Sequence, residues 1–217
     1  MYGMTESTCI ITFWDDAGEQ GRPGEVGRLI PNLDMKLVSD DGTDITAPGV
    51  NGEICVRGPV VSRGYFNNPE ANKHAFDSEG YYHSGDVGYM DKDTGCFHIV
   101  DRKKELIKVR AFQVAPNEIE GVLLKHPAVA DAAVIGLTVP WNLEAELPRA
   151  YIVLKPGQTA TEDEIIEYAG SRLARYKRLE GGVKFVNEIP KNATGKILKR
   201  ILRETAAKEI KQTGSKL

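Results

Sequence analysis

The amino-acid sequence predicts an α+β protein in which a small antiparallel β-barrel-like subdomain is followed by a compact α+β C-terminal domain. Short β-prone runs separated by turn residues occupy residues 23–101. After Asp101 the pattern changes, and helical and strand periodicities alternate along the chain. We therefore predict one domain over residues 1–103 and a second over residues 104–217.

The first domain is predicted from strands and the turns between them. The β-prone runs are VGRLI at 26–30, MKLVS at 35–39, GEICVR at 52–57 and CFHIV at 96–100. The dipeptides that separate them are typical of turns: Asp41-Gly42, Pro48-Gly49, Asn51-Gly52 and Thr94-Gly95. Short, regularly spaced strands of this kind favour a small antiparallel barrel or a distorted sheet.

The second domain is predicted from alternating helices and strands. A helix beginning at Pro116 carries Ile119, Val122 and Leu123 on one face. Thr161 and Glu164 have the spacing of a capping box. The helix after this box has an apolar side made of Ile165, Ala169, Leu173 and Tyr176, and a last helix is marked by Ile197, Leu198, Ile201 and Leu202. Three further runs are predicted strands: 128–137, 150–155 and 183–186.

Composition and charge exclude several classes of protein. Hydrophobic residues make up 41% of the 217 residues and charged residues 27%, as in ordinary globular proteins. The formal net charge of −3 argues against a general nucleic-acid binder. Residues 196–217 contain seven Lys or Arg and two Glu. Such a basic end could bind nucleic acid or a membrane, but a helix with a solvated basic face is the favoured interpretation.

The remaining sequence signals argue against disulfides, a zinc site and membrane insertion. The cysteines are odd in number and widely spaced: Cys9, Cys55 and Cys96. No disulfide framework is expected, and a reducing compartment is favoured. The histidines lack the spacing of metal ligands: His74, His83, His98 and His126. The first residues do not resemble a signal peptide, and no apolar run has the length of a transmembrane helix.

Four motifs indicate a family. They are YGMTE at 2–6, YYHSGD at 81–86, DRKKELIKVRAFQVAPNEIE at 101–120 and PKNATGK at 190–196. In this order and at these separations they resemble the core motifs of the adenylate-forming (AMP-binding) superfamily. The sequence around these motifs is most similar to the branch containing 4-coumarate–CoA ligases, acyl-CoA synthetases and luciferases. Each motif alone would be weak, but four in register form a specific signal.

This resemblance implies a ligase that uses ATP, Mg²⁺ and coenzyme A. A carboxylate would attack the α-phosphate of ATP to give an acyl-adenylate, and the thiol of coenzyme A would then displace AMP. Residues 1–103 would be the C-terminal part of the AMP-binding domain, and residues 104–217 its mobile C-terminal domain. The partners implied are a carboxylic acid, ATP and coenzyme A.

The resemblance also assigns roles to residues of the first domain. Tyr2 would stack on adenine, and Thr5 would hydrogen-bond a phosphate. Glu6 would hold Mg²⁺, a cation that prefers oxygen ligands. Asp86 would accept hydrogen bonds from the ribose hydroxyls, with Arg102 beside it as a fixed positive donor. The residues alone allow other interpretations, because Asp86 could be a turn residue and Glu6 a solvated charge.

In the second domain the same resemblance points to a catalytic lysine and a hinge. Lys196 would contact the substrate carboxylate and the α-phosphate, although Thr194–Lys196 could also be an ordinary loop before a helix. Lys104 would be the pivot about which the domain rotates. Gln113 would lie near the nucleotide, and Lys108 would act in the thioester-forming state. Ala111 replaces a glycine that is usual in the family, and its methyl group could crowd the thiol path.

The remaining expectations concern the part of the ligase that the chain represents, an alternative function and the localisation. Nothing here resembles the family's Gly/Ser/Thr-rich phosphate loop, so the chain is expected to be the C-terminal portion of a ligase and to be inactive alone. The alternative function is a non-catalytic nucleotide-binding or interaction module with the same fold. The sequence Ser215-Lys216-Leu217 predicts peroxisomal localisation through the peroxisomal import receptor.

Overall fold

The computed structural model describes residues 1–14, 24–139 and 142–214. The chain divides into two compact units, Met1–Lys104 and Glu105–Leu217. This division falls one residue after the boundary predicted from the sequence. Each unit has its own buried core, and each is described separately below.

The first unit is built on a seven-stranded antiparallel sheet. Its strands are β1 (Thr12–Phe13), β2 (Glu25–Leu29), β3 (Asp34–Val38), β4 (Asp44–Ile45), β5 (Gly52–Arg57), β6 (Tyr82–Met90) and β7 (Phe97–Arg102). Their spatial order is β1-β2-β7-β6-β5-β3-β4. One short helix, α1 (Pro69–Ala75), precedes β6. Apolar side chains from the strands and from the segments between them form the core: Ile11, Leu33, Leu37, Ile54, Val56 and Tyr82.

The predicted term barrel-like describes this antiparallel sheet only loosely. Among the described residues, the outermost strands β1 and β4 do not pair with each other, so the sheet is open. The four predicted β-prone runs correspond to β2, β3, β5 and β7, with ends that agree within two residues. The sequence interpretation missed β6, the longest strand of the sheet, because Ser84-Gly85-Asp86 has the composition of a turn.

The second unit places helices around a three-stranded sheet. Its elements are β8 (Ile107–Val109), β9 (Phe112–Val114), α2 (Pro116–Leu123), β10 (Val129–Val139), β11 (Asn142–Leu154), α3 (Glu162–Gly170), β12 (Val183–Phe185) and α4 (Lys199–Gly214). Strand β11 is central: it pairs antiparallel with β10 and parallel with β12. Strands β8 and β9 form a separate hairpin. The predicted α+β class is therefore confirmed.

Both faces of the central sheet are buried, which explains the continuous apolar run that predicted β10. Side chains alternate between the faces of a strand. Ala132 and Val134 belong to the core that contains residues of α2 and α3. Ala133 and Ile135 belong to a second core, which contains Leu202 of α4. Because neither face meets water, the strand carries few polar residues.

The helix boundaries correct two predictions. The capping box is confirmed, because Thr161 accepts from the Glu164 amide and the Glu164 carboxylate accepts from the Thr161 amide. Helix α3, however, ends at Gly170, a poor helix former. Leu173 and Tyr176 therefore lie beyond the helix, although both pack against the same core.

The last helix also begins later than predicted. Helix α4 starts at Lys199, so Ile197 and Leu198 precede it. The Leu198 amide donates to the carbonyl of Pro190 at 2.8 Å and is thus used outside the helix. Ile201, one of the four apolar residues that indicated this helix, is 37% exposed.

Several other features bear on function. The three cysteines all lie within the described residues and are free thiols. The described part of the chain contains no group of three His, Cys, Asp or Glu side chains that could hold a metal ion. Within the same residues, no helix is long and apolar enough to cross a bilayer.

Candidate nucleotide site and family membership

The structure brings together three residues of the first unit that lie far apart in the sequence. The hydroxyl of Tyr2 donates to Oδ2 of Asp86 at 2.8 Å. Nε of Arg102 lies 3.3 Å from Oδ1 of the same carboxylate. Asp86 is 9% exposed, whereas the Arg102 side chain is about half exposed. The result is a carboxylate anchored on both oxygens, with an aromatic ring on one side and a guanidinium on the other.

Strand pairing places Asp86 and Arg102 side by side. They are direct partners in the antiparallel β6–β7 register. Gly85, immediately before Asp86, has a φ of +70°, which favours glycine because it has no Cβ. The hydroxyl of Ser84 accepts from the Asp86 amide at 3.0 Å. Asp86 is therefore a strand residue held in a local distortion, and its interpretation as a turn residue is wrong.

The loop that carries Tyr2 depends on the adjacent glycine. A Cβ on Gly3 would lie 1.5 Å from the carbonyl oxygen of Cys9, so no other residue fits this backbone. The Tyr2 amide donates to the Thr12 carbonyl, and the Tyr2 carbonyl accepts from the Ile11 amide. Burial is the main cause that raises the pKa of Tyr2, and the negative charge of nearby Asp86 raises it further. The phenol therefore stays protonated and remains a donor to Asp86 at neutral pH.

Glu6 lies in a second polar group of the same unit. Thr5 and Glu6 belong to a short 3₁₀ helix, Thr5–Ser7, and Thr5 is exposed. Oε1 of Glu6 accepts from the Tyr65 hydroxyl at 2.8 Å, and this hydroxyl lies 3.1 Å from that of Tyr82. Burial raises the pKa of Tyr82, so this group too stays protonated. The sequence interpretation found Glu6 but missed both tyrosines.

A cleft borders the Asp86 cluster. Its volume is about 360 Å³, and Ser84, Gly85 and residues 102–104 line it. Ligand pockets are typically 300–1,000 Å³ in volume. A larger open depression of about 970 Å³ lies in the second unit and contains none of the predicted site residues. We assign the smaller cleft to the site because three cationic side chains line it and one of them, Arg102, pairs with Asp86.

Glu53 is a buried carboxylate that the sequence interpretation missed. It lies on β5 and is 8% exposed. Its Oε1 accepts from the Gly85 amide at 3.1 Å, and its Oε2 accepts from Nζ of Lys103 at 3.0 Å. Gly85 precedes Asp86 and Lys103 follows Arg102, so one carboxylate fastens both strands of the site. The only sequence signal was an acidic residue inside the apolar run of β5.

We expect Glu53→Gln to lower the free energy of unfolding by roughly 1.5–3 kcal/mol at pH 7, the usual contribution of hydrogen bonds to a charged group. Burial pushes the pKa of Glu53 upward, but Lys103 and His83 outweigh it and leave the pKa below 4.5. The stabilisation is therefore present above pH 4.5 and disappears as the pH falls through the folded-state pKa. Urea denaturation at pH 7 and at pH 3 measures the difference.

The matched control is Glu79→Gln, which removes an exposed carboxylate that pairs with Lys36 at 2.6 Å. Exposed ion pairs contribute about 0–1 kcal/mol, so this variant should stay close to the wild type. A Glu53→Gln effect that is equally large at pH 3 would contradict the electrostatic explanation.

In the second unit, Lys108 and Gln113 are direct partners across the β8–β9 hairpin. Both are exposed. The turn between them contains Arg110, with a φ of +54°, and the exposed Ala111. The ring of Phe112 stacks on Tyr176 at 4.3 Å between centroids. The hairpin is thus held by an aromatic contact while its polar side chains reach solvent, and their predicted roles stay predictions.

Lys196 and Lys104 occupy exposed segments. The Lys196 amide donates to Oδ1 of Asn192 at 2.8 Å, and the Asn192 amide donates to the Lys196 carbonyl at 2.9 Å. These bonds close a compact loop that presents the Lys196 side chain to solvent. Lys104 lies in the 3₁₀ helix Lys103–Glu105, where the first unit ends. That position fits a pivot, although the rotation itself stays a prediction.

Comparison with known proteins identifies the family. The AMP-binding enzyme family matches residues 1–66, and the AMP-binding enzyme C-terminal domain matches residues 118–196. The chain belongs to the AMP-binding enzyme family. The first match falls in the first unit of this AMP-binding enzyme sequence, and the second match falls in its second unit.

Two curated relatives and one solved structure illustrate the similarity of this AMP-binding protein to known enzymes. Phenylacetyl-CoA ligase of Aspergillus niger is 52% identical over 206 residues, which cover 94% of this chain and 37% of the relative. Luciferin 4-monooxygenase of Photinus pyralis is 45% identical over 216 residues, covering 100% of this chain and 38% of the relative. O-succinylbenzoate coenzyme A synthetase from Bacillus subtilis, solved in complex with AMP, is 34% identical with a TM-score of 0.80, covering 93% of this chain and 40% of that one.

The chain therefore spans little more than a third of the length of its curated relatives. These relatives include a CoA ligase and a luciferase, which agrees with the branch indicated by the sequence motifs. The predicted membership of the adenylate-forming superfamily is confirmed.

The site residues of this AMP-binding protein fit the nucleotide and the metal that the family implies. An ionised carboxylate has about four acceptor positions, so Asp86 can accept from ribose hydroxyls while it keeps Tyr2 and Arg102. Glu6 offers a single carboxylate, and no cluster of three metal-binding side chains exists among the described residues. Mg²⁺ is commonly bound through one or two carboxylates together with phosphate oxygens and water, and one carboxylate is compatible with that arrangement.

Proposed function

We propose that this chain provides the ribose-binding cluster and the C-terminal domain of an ATP-dependent acyl- or aryl-CoA ligase. The observation that carries the proposal is the anchored carboxylate of Asp86, which lies between the Tyr2 hydroxyl and the Arg102 guanidinium. A carboxylate held in this way, beside a cleft of ligand size, suits a vicinal diol such as that of ribose. The similarity to CoA ligases supports the choice of reaction.

Each residue then has a chemical task. Asp86 accepts hydrogen bonds from the ribose hydroxyls, and the ring of Tyr2 lies against the adenine. Arg102 adds a positive charge beside the ribose and the phosphate. Glu6 holds Mg²⁺, which neutralises phosphate charge when bound. Thr5, on the same 3₁₀ helix, donates its hydroxyl to a phosphate oxygen.

The proposed reaction has two displacements. The carboxylate oxygen of the acid attacks the α-phosphorus of ATP, and pyrophosphate leaves. Lys196 pairs with the negative charge that develops there, which is the kind of interaction that accelerates phosphate transfer. The sulfur of coenzyme A then attacks the acyl carbon, and AMP leaves. Lys108 serves this second step and Gln113 the nucleotide-bound state, with Lys104 as the pivot between them.

The test is a chimera in which this chain replaces the matching segment of the Aspergillus niger phenylacetyl-CoA ligase, to which it is 52% identical. We expect the chimera to catalyse phenylacetate-dependent exchange of pyrophosphate into ATP. The isolated chain should show no such exchange. A soluble, folded chimera that binds AMP but does not exchange pyrophosphate would instead favour the non-catalytic nucleotide-binding module.

We also propose that the ligase acts in peroxisomes. The supporting feature is the sequence Ser215-Lys216-Leu217, which lies outside the described residues and has the form of a peroxisomal import signal when it is C-terminal. A fluorescent protein that ends in residues 206–217 should colocalise with a peroxisomal marker in eukaryotic cells. The same fusion without Leu217 should be diffuse. Diffuse fluorescence from the intact fusion would contradict the proposal.

A further inference from the structure

The loop that carries Lys196 has few contacts of its own with the body of the second unit. Its hydrogen bonds are mostly internal, and they run between Asn192 and Lys196. The segment from Lys191 to Lys196 is exposed, and Ile197 and Leu198 are only half-buried. The position of the loop must therefore be set largely by the elements at its two ends.

A buried ion pair fixes the C-terminal end of this loop. Nζ of Lys199, the first residue of α4, lies 2.9 Å from Oε1 of Glu120 on α2, and both side chains are 9% exposed. The same Oε1 accepts from the amide of Val134 on β10 at 2.8 Å. One carboxylate thus joins the start of α4 to a helix and to the central sheet.

The ammonium of Lys199 depends on this carboxylate. Its Nζ is fully buried and makes no hydrogen bond with any of the described residues. Its interaction with Glu120 is therefore an ion pair without a hydrogen bond. A charge in such a place has no other compensation, which strongly disfavours displacement of the helix start. The interpretation of residues 196–217 as a helix with a solvated basic face is confirmed for the exposed Arg200 and Lys208 but is wrong for Lys199.

The other end of the loop is held more weakly. Lys191 pairs with Asp131 on β10 at 2.6 Å, but their side chains are 39% and 28% exposed. Exposed pairs restrain a chain little. Buried ion pairs are poor contributors to stability compared with apolar residues of the same volume, but separating the two charges is strongly unfavourable because each is left buried and uncompensated. The buried pair therefore suits a role in position rather than in stability.

We propose that the Glu120–Lys199 ion pair is a positioning device for Lys196. It fixes the first turn of α4 and, through the short segment Ile197–Leu198, the loop from which the Lys196 side chain reaches the reacting phosphate. The proposal rests on the proposed role of Lys196 in adenylation. Glu120 and Lys199 are both buried side chains that pair with each other, so the proposed role is one of positioning.

The first test is hydrogen exchange on the 217-residue chain. In Lys199→Met, the amides of residues 192–198 should exchange at least tenfold faster, while α2 and β10 keep their protection. Lys199→Arg should keep the slow exchange of the wild type, because the guanidinium of the arginine can pair with Glu120. Unchanged exchange at residues 192–198 in a folded Lys199→Met variant would overturn the proposal, and so would a uniform increase over the whole unit.

Lys199→Met leaves a buried charge on Glu120 and could fail to fold. The double variant Glu120→Gln/Lys199→Met removes that charge and keeps an acceptor for the Val134 amide. It should fold and still show the faster exchange of the loop. Normal exchange in this double variant would overturn the proposal.

The second test measures the two half-reactions in the chimera. Lys199→Met should slow acid-dependent pyrophosphate exchange by about 10²-fold, the cost of misplacing a catalytic group by about 1 Å. Transfer from preformed phenylacetyl-adenylate to coenzyme A should change less than about threefold, and Lys199→Arg should recover exchange. Equal losses in both half-reactions would contradict a positioning role. If the unmodified chimera were inactive, the proposed function would fail while the hydrogen-exchange result would still decide the structural part.

Discussion

Replacing Lys196 with alanine should reduce acid-dependent pyrophosphate exchange of the chimera by about 10²–10³-fold, as for other groups that stabilise charge in a transition state. The Lys196 side chain is exposed on a loop whose backbone is closed by Asn192, so its removal should leave the fold intact. Its charge is needed where negative charge develops on the α-phosphate. Transfer of the acyl group from preformed adenylate should therefore fall by less than about threefold.

Lys208→Ala is the matched control for this substitution. Lys208 is an exposed lysine of α4 in the same unit, and its loss should change neither half-reaction by more than about twofold. The rates of pyrophosphate exchange and of thioester formation from preformed adenylate are measured separately and compared. If Lys196→Ala slowed both half-reactions equally, the role assigned to this lysine would be wrong.

Asp86→Ala should weaken AMP binding by the chimera by about 1.5–3 kcal/mol, which is roughly 10- to 150-fold in Kd. The substitution removes the acceptor for the ribose hydroxyls, and it also releases the Tyr2 hydroxyl and Arg102 from their shared partner. Asp86→Asn keeps the shape but loses the charge, so its effect should be intermediate. Isothermal titration with AMP gives both values.

Asp93→Ala removes an exposed carboxylate from the turn before β7 and should leave the Kd for AMP unchanged. Circular dichroism of each variant checks that the sheet is intact, because Asp86 is buried. Wild-type affinity in a folded Asp86→Ala variant would contradict the assignment of the ribose site to this carboxylate.

Much of the fold could be predicted because hydrophobic periodicity reports which side chains are buried. The runs that became β5 and β10, the start of α2 and the capping box of α3 were all visible in the sequence. Strand β6 was not, because Gly85 interrupts it with a backbone conformation that local patterns assign to a turn. Local signals therefore failed where the chain is distorted to position a functional carboxylate.

The candidate site could be predicted only as a set of residues. The motifs indicated Tyr2, Asp86 and Arg102, but their convergence depends on the pairing of β6 with β7 and on the loop around Gly3. The supporting residues Glu53 and Lys199 carried no motif. The solvated basic face predicted for residues 196–217 included Lys199, and only the three-dimensional structure shows that Glu53 and Lys199 are buried side chains with ionic partners.

The measurement that tests the central proposal most directly is identification of the product made by the chimera. Labelled phenylacetate, ATP and coenzyme A are incubated with the chimera, and the products are separated and identified by mass spectrometry. We predict phenylacetyl-CoA together with an equal amount of AMP, and neither product from the chimera that carries Asp86→Ala and Lys196→Ala. Absence of both phenylacetyl-adenylate and phenylacetyl-CoA from a folded chimera that binds AMP would contradict the assignment of this chain to a CoA ligase.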